Sequence, residues 1–217
     1  MRSNEIEEKK KKLSLNAEQR EVLIGLLLGD AHLETQNQGR TYRLKIEQSE
    51  RHRPYLIQLY EVFREWILTP PRRRLAKSSG RVSCNYCVQT VSHGALRFYA
   101  QQFYTGRRKV VPKLIHRWLT PRALAYWFMD DGSLKSSQSK GVIFNTQVFE
   151  MADVERLINA ITRNFGLKAK KRKQREGYQI YVSGESFERF CQLVEPFLLP
   201  EMVYKLPVAR LTQLPKQ

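Results

Sequence analysis

Two aspartates in this chain stand where an ordinary helix end would carry lysine or arginine. In "LAYWFMDDG", Leu124 to Gly132, six apolar or aromatic residues run straight into Asp130 and Asp131. The run has no polar face, as expected of a buried helix, and Gly132 follows as its terminator. The two acids therefore fall in the last turn, where the helix dipole is negative and carboxylates are disfavoured. "LIGLLLGDA", Leu23 to Ala31, repeats the arrangement with Asp30 at its end, 101 residues before Asp131. One acid so placed could be an ordinary residue leading into a turn. Two at matched positions imply a shared task. Carboxylates held close repel unless cations lie between them, and hard divalent ions, Mg²⁺ above all, suit their oxygens. Such ions activate water and stabilise the leaving oxygen of a phosphodiester.

Phosphoryl chemistry also needs cations that neutralise the developing charge. Lys113 in "VVPK" and Lys205 in "MVYK" stand at equivalent places, with Lys109 in "GRRKVVP" as a competitor for the first role. Each of these lysines has a simpler reading as a phosphate contact or surface charge.

The elements that position these residues are written twice. After each acidic helix comes a polar loop ("ETQNQGR"; "KSSQSKG") and a strand-like segment ("TYRLKIEQ"; "VIFNTQVF"). An amphipathic helix follows, "RPYLIQLYEVFREW" in one half and "MADVERLINAITRNF" in the other, with apolar residues at helical spacing. Basic strands come next ("RRRLAKSSGRVSCNYCVQTV"; "LKAKKRKQREGYQIYVSG"), then a last helix ("HGALRFYAQQFY"; "ESFERFCQLVEPFL"). A period of about 100 residues is too long for a solenoid and indicates a duplicated domain. The expected fold is α+β: two pseudo-twofold-related αββαββα repeats whose antiparallel sheets form a saddle. The expected segments are a loose basic N-terminal arm (1–14), a first repeat (15–117), a second repeat (118–207) and a C-terminal tail (208–217). Gly25, Gly29 and Ala125 are small enough for the two leading helices to approach closely, which would bring Asp30 and Asp131 side by side.

The 217 residues carry 38 Lys and Arg against 21 Asp and Glu, a net charge of +17. That surplus favours a polyanion, nucleic acid before an acidic membrane. The longest apolar run, "VLIGLLLG", is far short of the roughly 20 residues a membrane span needs, and the N-terminus lacks a signal-peptide core. Three cysteines suit a reducing compartment rather than a disulfide framework. Cys84 and Cys87 form a CxxC, but on a strand they point to opposite faces and lack a second ligand pair for zinc.

"LIGLLLGDA" and "LAYWFMDDG", with the flanks "LTPRALAYWFMDDGSL" and the closing "MVYKLP", resemble the paired motifs of monomeric, two-motif LAGLIDADG homing endonucleases. The likeness covers roughly Leu15 to Pro207; Ala31 departs from it, standing where glycine is usual. The resemblance implies that the last acid of each motif, Asp30 and Asp131, binds the catalytic metal, with Gly29 and Asp130 helping largely through backbone carbonyls. It implies two or more Mg²⁺ ions, replaceable by Mn²⁺ or Ca²⁺ for binding, and a double-strand break across the minor groove that leaves 3′ overhangs at a long site. It further implies double-stranded DNA as partner, a monomer, no membrane, and an intracellular setting in an organelle or a bacterial cytoplasm. An intron maturase binding RNA on the same fold is the alternative, and a DNA-binding regulator that does not cut is a third reading; both intact aspartates favour the nuclease.

DNA reading falls to the strands, where alternate side chains face the duplex and Arg or Gln can read base edges. The first-half candidates are Arg40, Arg43, Lys45, Gln48, Arg72, Arg74, Lys77, Arg81 and Gln89. Those of the second half are Asn145, Gln147, Lys168, Lys170, Arg172, Lys173 and Gln179.

Overall fold

The computed structural model describes residues 3–78 and 81–206; the expected tail 208–217 lies outside the described residues. The first helix, α1 (Ser3–Lys11), replaces the loose arm expected there. Glu7 pairs with Lys10 and Glu8 with Lys11 at helical i,i+3 spacing, and lysines fill the last turn, where the dipole welcomes them. The Lys10 carbonyl also meets Nε2 of His93 at 3.1 Å.

The first motif helix is α2 (Ala17–Leu28). Its start is a reciprocal capping box: the Asn16 side chain accepts from the Gln19 amide (2.8 Å), and Gln19 Oε1 accepts from the Asn16 amide (3.1 Å). It leads to β1 (His32–Glu34), β2 (Arg43–Ser49), α3 (Arg53–Val62), β3 (Arg72–Ser78), β4 (Arg81–Gln89) and α4 (Arg97–Phe103). A small hairpin, β5 (Tyr104–Thr105) and β6 (Arg108–Lys109), then turns through Gly106, whose φ of +62° favours glycine. The second motif helix, α5 (Pro121–Asp131), opens on Thr120, which accepts from the Ala123 amide, and on Pro121 in the first turn. After it come β7 (Gly132–Leu134), β8 (Val142–Phe144), α6 (Met151–Phe165), β9 (Ala169–Gln174), β10 (Gly177–Val182) and α7 (Phe187–Val194). The order αββαββα thus occurs twice. Each set builds a four-stranded antiparallel sheet, β1-β2-β4-β3 and β7-β8-β10-β9.

The chain divides into two compact units, residues 3–20 with 30–101 and residues 21–29 with 102–206. This division does not follow the repeat boundary, because the C-terminal part of the first motif helix packs in the second unit. There α2 meets α5 at glycine. A Cβ on Gly25 would lie 2.6 Å from the Ala123 carbonyl oxygen and 2.8 Å from Tyr126 Cβ, so only a bare backbone fits. Gly25 of one helix receives Tyr126 of the other, and Leu26, Leu27, Trp127 and Phe128 are fully buried. Gly25→Ala is therefore expected to destabilise the fold by about 1–3 kcal/mol through overpacking. Thermal unfolding of the variant checks this, and an unchanged melting temperature would show that the helices can part without cost.

In the first unit's sheet, β2 alternates with Leu44, Ile46 and Gln48 buried. Their side of the sheet is covered by α3, whose Arg53 guanidinium lies 5.1 Å from the centre of the Tyr86 ring, and Tyr86 pairs with Gln48. Arg43, Lys45 and Glu47 point to the opposite, helix-free side. In the second unit's sheet, Lys171 reaches Glu155 of α6 at 2.7 Å, which marks the helix-covered side. Lys170, Arg172, Gln179 and Tyr181 face the other way.

Candidate active site

Both motif helices end against a lysine. The Lys205 ammonium donates to the carbonyl oxygens of Met129 and Asp130 (3.1 Å for the latter), in the last turn of α5. The Lys109 ammonium donates to the Gly29 carbonyl at 2.6 Å, one residue past α2. Here is the positive charge that an acidic helix end requires: a cation on the orphan carbonyls offsets a dipole that the aspartates oppose. Lys205 is buried with only 8% exposure. Its removal leaves buried carbonyls without their donor. Lys205→Met is expected to cost about 1–3 kcal/mol in urea unfolding with an unchanged slope. Stability equal to wild type would mean that the ammonium does not cap the helix.

These bonds bear on two expectations. The Gly29 and Asp130 carbonyls, expected to help hold the metal, each accept from a lysine ammonium group. Of the competing first-half lysines it is Lys109, carried by the β5–β6 hairpin, that reaches the motif, whereas Lys113 is exposed in the turn before a 3-10 helix at Ile115–Arg117.

The motif ends also touch one another through backbone and Cβ. A Cβ on Gly29 would lie 2.6 Å from Asp130 Cβ and overlap its carboxylate. Glycine is required at position 29 for this approach. Asp30 follows Gly29 directly in the chain and is exposed, two residues past the end of α2; Asp131 is the last residue of α5 and half-buried. Gly132 ends α5 in an extended conformation rather than a left-handed cap (φ −76°, ψ 146°). Its lack of a side chain is needed because a Cβ there would collide with the Phe128 ring and carbonyl.

The Asp131 carbonyl accepts twice from Asn145, from the backbone amide at 3.0 Å and from Nδ2 at 2.9 Å. Asn145 and Gln147 follow β8 rather than lying on it, contrary to the strand expected over "VIFNTQVF". On the β7 side the Asn145 amide still bonds the Asp131 carbonyl, but on the β10 side the Thr146 hydroxyl, donating to the Tyr178 carbonyl at 2.7 Å, takes the place of a ladder bond.

The other candidates for DNA contact divide by face. Arg43, Lys45, Arg72, Arg74 and Gln89 share the helix-free side of the first sheet, and Arg40 is exposed in the β1–β2 loop. Gln48 does not join them: it lies on the α3 side, 6% exposed, because strand alternation puts it in phase with Leu44 and Ile46. Lys77 and Arg81 belong to β3 and β4, with side chains outside the described residues. In the second sheet Lys170 and Arg172 are on the helix-free side, but Lys173 is in phase with Lys171 and so shares the α6 side. Lys168 precedes β9 and pairs with Glu185 at 2.5 Å, and that hydrogen bond holds its pKa above the ordinary lysine value. Gln179 faces the open side yet is buried, with both ends of its amide bonded to protein.

Acidic partners on the first sheet were not anticipated. Glu34 binds Arg43 (2.5 Å), and Glu47 binds both Arg74 (3.0 Å) and Asn85 (2.8 Å). Their signal was legible, since Glu34 and Glu47 alternate in phase with the cations. On the second sheet Lys135 and Lys170 both approach the Tyr181 ring, at 5.1 and 5.8 Å. Among the cysteines, Cys84 pairs with Leu75 and Cys87 with Arg72 on alternate faces, as the CxxC spacing on a strand requires. Cys191 is half-buried, and desolvation followed by Glu195 pushes its thiol pKa up to about 12. No group of three or more His, Cys, Asp or Glu side chains that could hold a metal occurs among the described residues. No helix among them is long and apolar enough to cross a membrane.

A profile of the LAGLIDADG DNA endonuclease family matches residues 20–190, which span both motif helices and both sheets. The chain belongs to this family. The LAGLIDADG fold is matched by a solved structure of the homing endonuclease I-WcaI bound to its DNA recognition sequence, with a TM-score of 0.89 and 30% identity. That match covers 94% of this chain and 92% of the other. A probable intron-encoded endonuclease 1 from Wickerhamomyces canadensis is 32% identical over 204 residues, 91% of this chain and 87% of its own length. A different relative is the cytochrome b mRNA maturase bI2 of Saccharomyces cerevisiae, 29% identical over 85% of this chain but 46% of its own length. LAGLIDADG relatives thus carry names from both DNA cleavage and RNA maturation.

Proposed function

We propose that the chain is a site-specific DNA endonuclease, a homing endonuclease that makes a divalent-metal-dependent double-strand break with 3′ overhangs at a long asymmetric site. The observation that carries this reading is the paired end of the motif helices. Each ends beside an aspartate and against a buried or half-buried lysine, in a chain of net charge +17. The donor set fits Mg²⁺. Asp30 and Asp131 offer one hard carboxylate each, and Mg²⁺ is commonly held by one or two carboxylates together with water and substrate phosphate rather than by a protein cage. When bound, the ions supply an acidified water and charge compensation at the leaving oxygen. Asp30, two residues past α2, and Asp131, the last residue of α5, are the carboxylates that would hold them. Lys109 and Lys205 place positive charge on the carbonyls at the helix ends, where the aspartates oppose the dipole. The helix-free sheet faces, with Arg43, Arg72 and Arg74 on one and Lys170 and Arg172 on the other, bind the phosphate backbone and read base edges.

The maturase kinship supports a second reading, RNA binding that assists intron splicing on the same fold. Cleavage of a cognate duplex in Mg²⁺ and in chelator decides between them. The nuclease reading expects both strands cut in Mg²⁺ and none in chelator. Intron splicing stimulated by the protein, with the duplex left intact in Mg²⁺, would replace it by the maturase reading.

A further inference from the structure

Three amides in the second unit form an unbroken chain that ends on Asp131. Gln174 Nε2 donates to Gln179 Oε1 at 2.8 Å, Gln179 Nε2 donates to Asn145 Oδ1 at 2.7 Å, and Asn145 Nδ2 donates to the Asp131 carbonyl at 2.9 Å. Its polarity is fixed from the inner end. A backbone carbonyl can only accept, so Asn145 must turn its NH₂ toward Asp131 and its oxygen toward Gln179. Gln179 must then present its own NH₂ to Asn145 and its oxygen to Gln174. Each bond polarises the next in the same direction.

Gln179 is 9% exposed and spends both ends of its amide inside the protein, which leaves little for a base edge. Gln174 is half-buried at the end of β9, the strand whose Arg172 lies opposite Gln179 on the helix-free face. The first sheet fills the corresponding register differently. There Glu47 opposes Cys87 on the central strand and holds Arg74 and Asn85 by an ion pair and a hydrogen bond. The neutral relay is thus a particular property of the half that carries Asp131.

We infer that Gln179 is a positioning residue: through Asn145 it fixes the peptide of Asp131 and so ties the β9 edge of the DNA-reading sheet to the metal-binding carboxylate. The inference rests on the nuclease reading of Asp131. It separates Gln179 and Asn145 from the base-reading residues with which strand alternation had grouped them.

The test compares Gln179→Leu and Gln179→Glu with wild type and with Asp131→Asn, on one cognate duplex. Gln179→Leu removes both hydrogen bonds, whereas Gln179→Glu keeps the acceptor for Gln174 and loses only the donor to Asn145. Three quantities are read: the single-turnover cleavage rate at saturating protein, the duplex Kd in Ca²⁺, and the Mn²⁺ midpoint for binding to the protein–DNA complex. Partners of metal ligands commonly change affinity or activity by about 10- to 100-fold, and both variants are expected to lose rate and Mn²⁺ affinity on that order, with Kd within about twofold of wild type. A Kd raised tenfold or more with rate and Mn²⁺ midpoint unchanged would overturn the inference and make Gln179 a base reader. Wild-type values in all three would overturn it as well. If Gln179→Leu fails to fold, Gln179→Glu alone decides by the same criteria. Cleavage by Asp131→Asn at the wild-type rate would instead strike at the nuclease assignment, which keeps the two failures apart.

Discussion

Asp131→Asn is expected to lower double-strand cleavage by about 10³-fold or more, because the several kcal/mol that a bound metal contributes amount to several decades at about 1.4 kcal/mol each. Asp30→Asn is expected to do the same. DNA affinity should survive both changes within a few-fold. A carboxylate repels phosphate, and its neutral isostere removes that repulsion without altering the sheet faces proposed to bind the duplex. The Asp131 backbone carbonyl keeps its bonds from Asn145, so the local structure persists. Single-turnover cleavage and equilibrium binding in Ca²⁺ measure the two effects separately. Cutting at the wild-type rate by either variant contradicts the assignment. A variant that still nicks one strand would show that each aspartate serves one strand.

The second large effect is electrostatic. With 38 basic residues against 21 acidic ones and arginines on the helix-free faces of both sheets, log K for the duplex should fall with log[salt] with a slope of about −5 to −10. For about 6–10 neutralised phosphates this is a loss of about 10³- to 10⁵-fold between roughly 50 and 200 mM salt. Part of the basic charge must first be released from acids: Arg43 from Glu34, and Arg74 from Glu47. Each such exposed or half-exposed pair is worth little on its own, about 0–1 kcal/mol, so phosphate can displace the carboxylate. A slope near zero would show that the basic surplus is not the binding surface.

Features that depend on a local run of residues were legible in the sequence. The two apolar helices ending in acid, the helix-strand order and its repetition all follow from side-chain periodicity within ten to fifteen residues or so. The small-residue approach was legible too, because Gly25 admits no side chain beside Ala123 and Tyr126. What depends on pairing between distant segments was not. The buried side of β2 is set by where α3 lies, so Gln48 fell in phase with Leu44 and Ile46. Lys173 took the α6 side for the same reason, one residue from Arg172. β8 ends at Phe144 because the Thr146 hydroxyl finds its partner in Tyr178, a contact 32 residues away in the chain. Lys109 rather than Lys113 meets the Gly29 carbonyl because the β5–β6 hairpin aims it there. The charges of α1 read as a solvated arm until their i,i+3 pairing and the contact between its Lys10 carbonyl and His93 are seen.

Cutting of one asymmetric duplex site by one chain with two unlike motifs and divalent metal is the expected activity. Its most direct test is digestion of a randomised duplex library in Mg²⁺ by protein shown by sedimentation to bind one chain per duplex, followed by sequencing of the ends. The two halves present different side chains on their helix-free faces, Arg43, Lys45 and Arg74 against Lys170, Arg172 and Tyr181. The predicted result is one long consensus whose halves differ, with 3′ overhangs and no enriched ends when chelator replaces Mg²⁺. A palindromic consensus from two chains per duplex, or ends no more frequent in Mg²⁺ than in chelator, would contradict it.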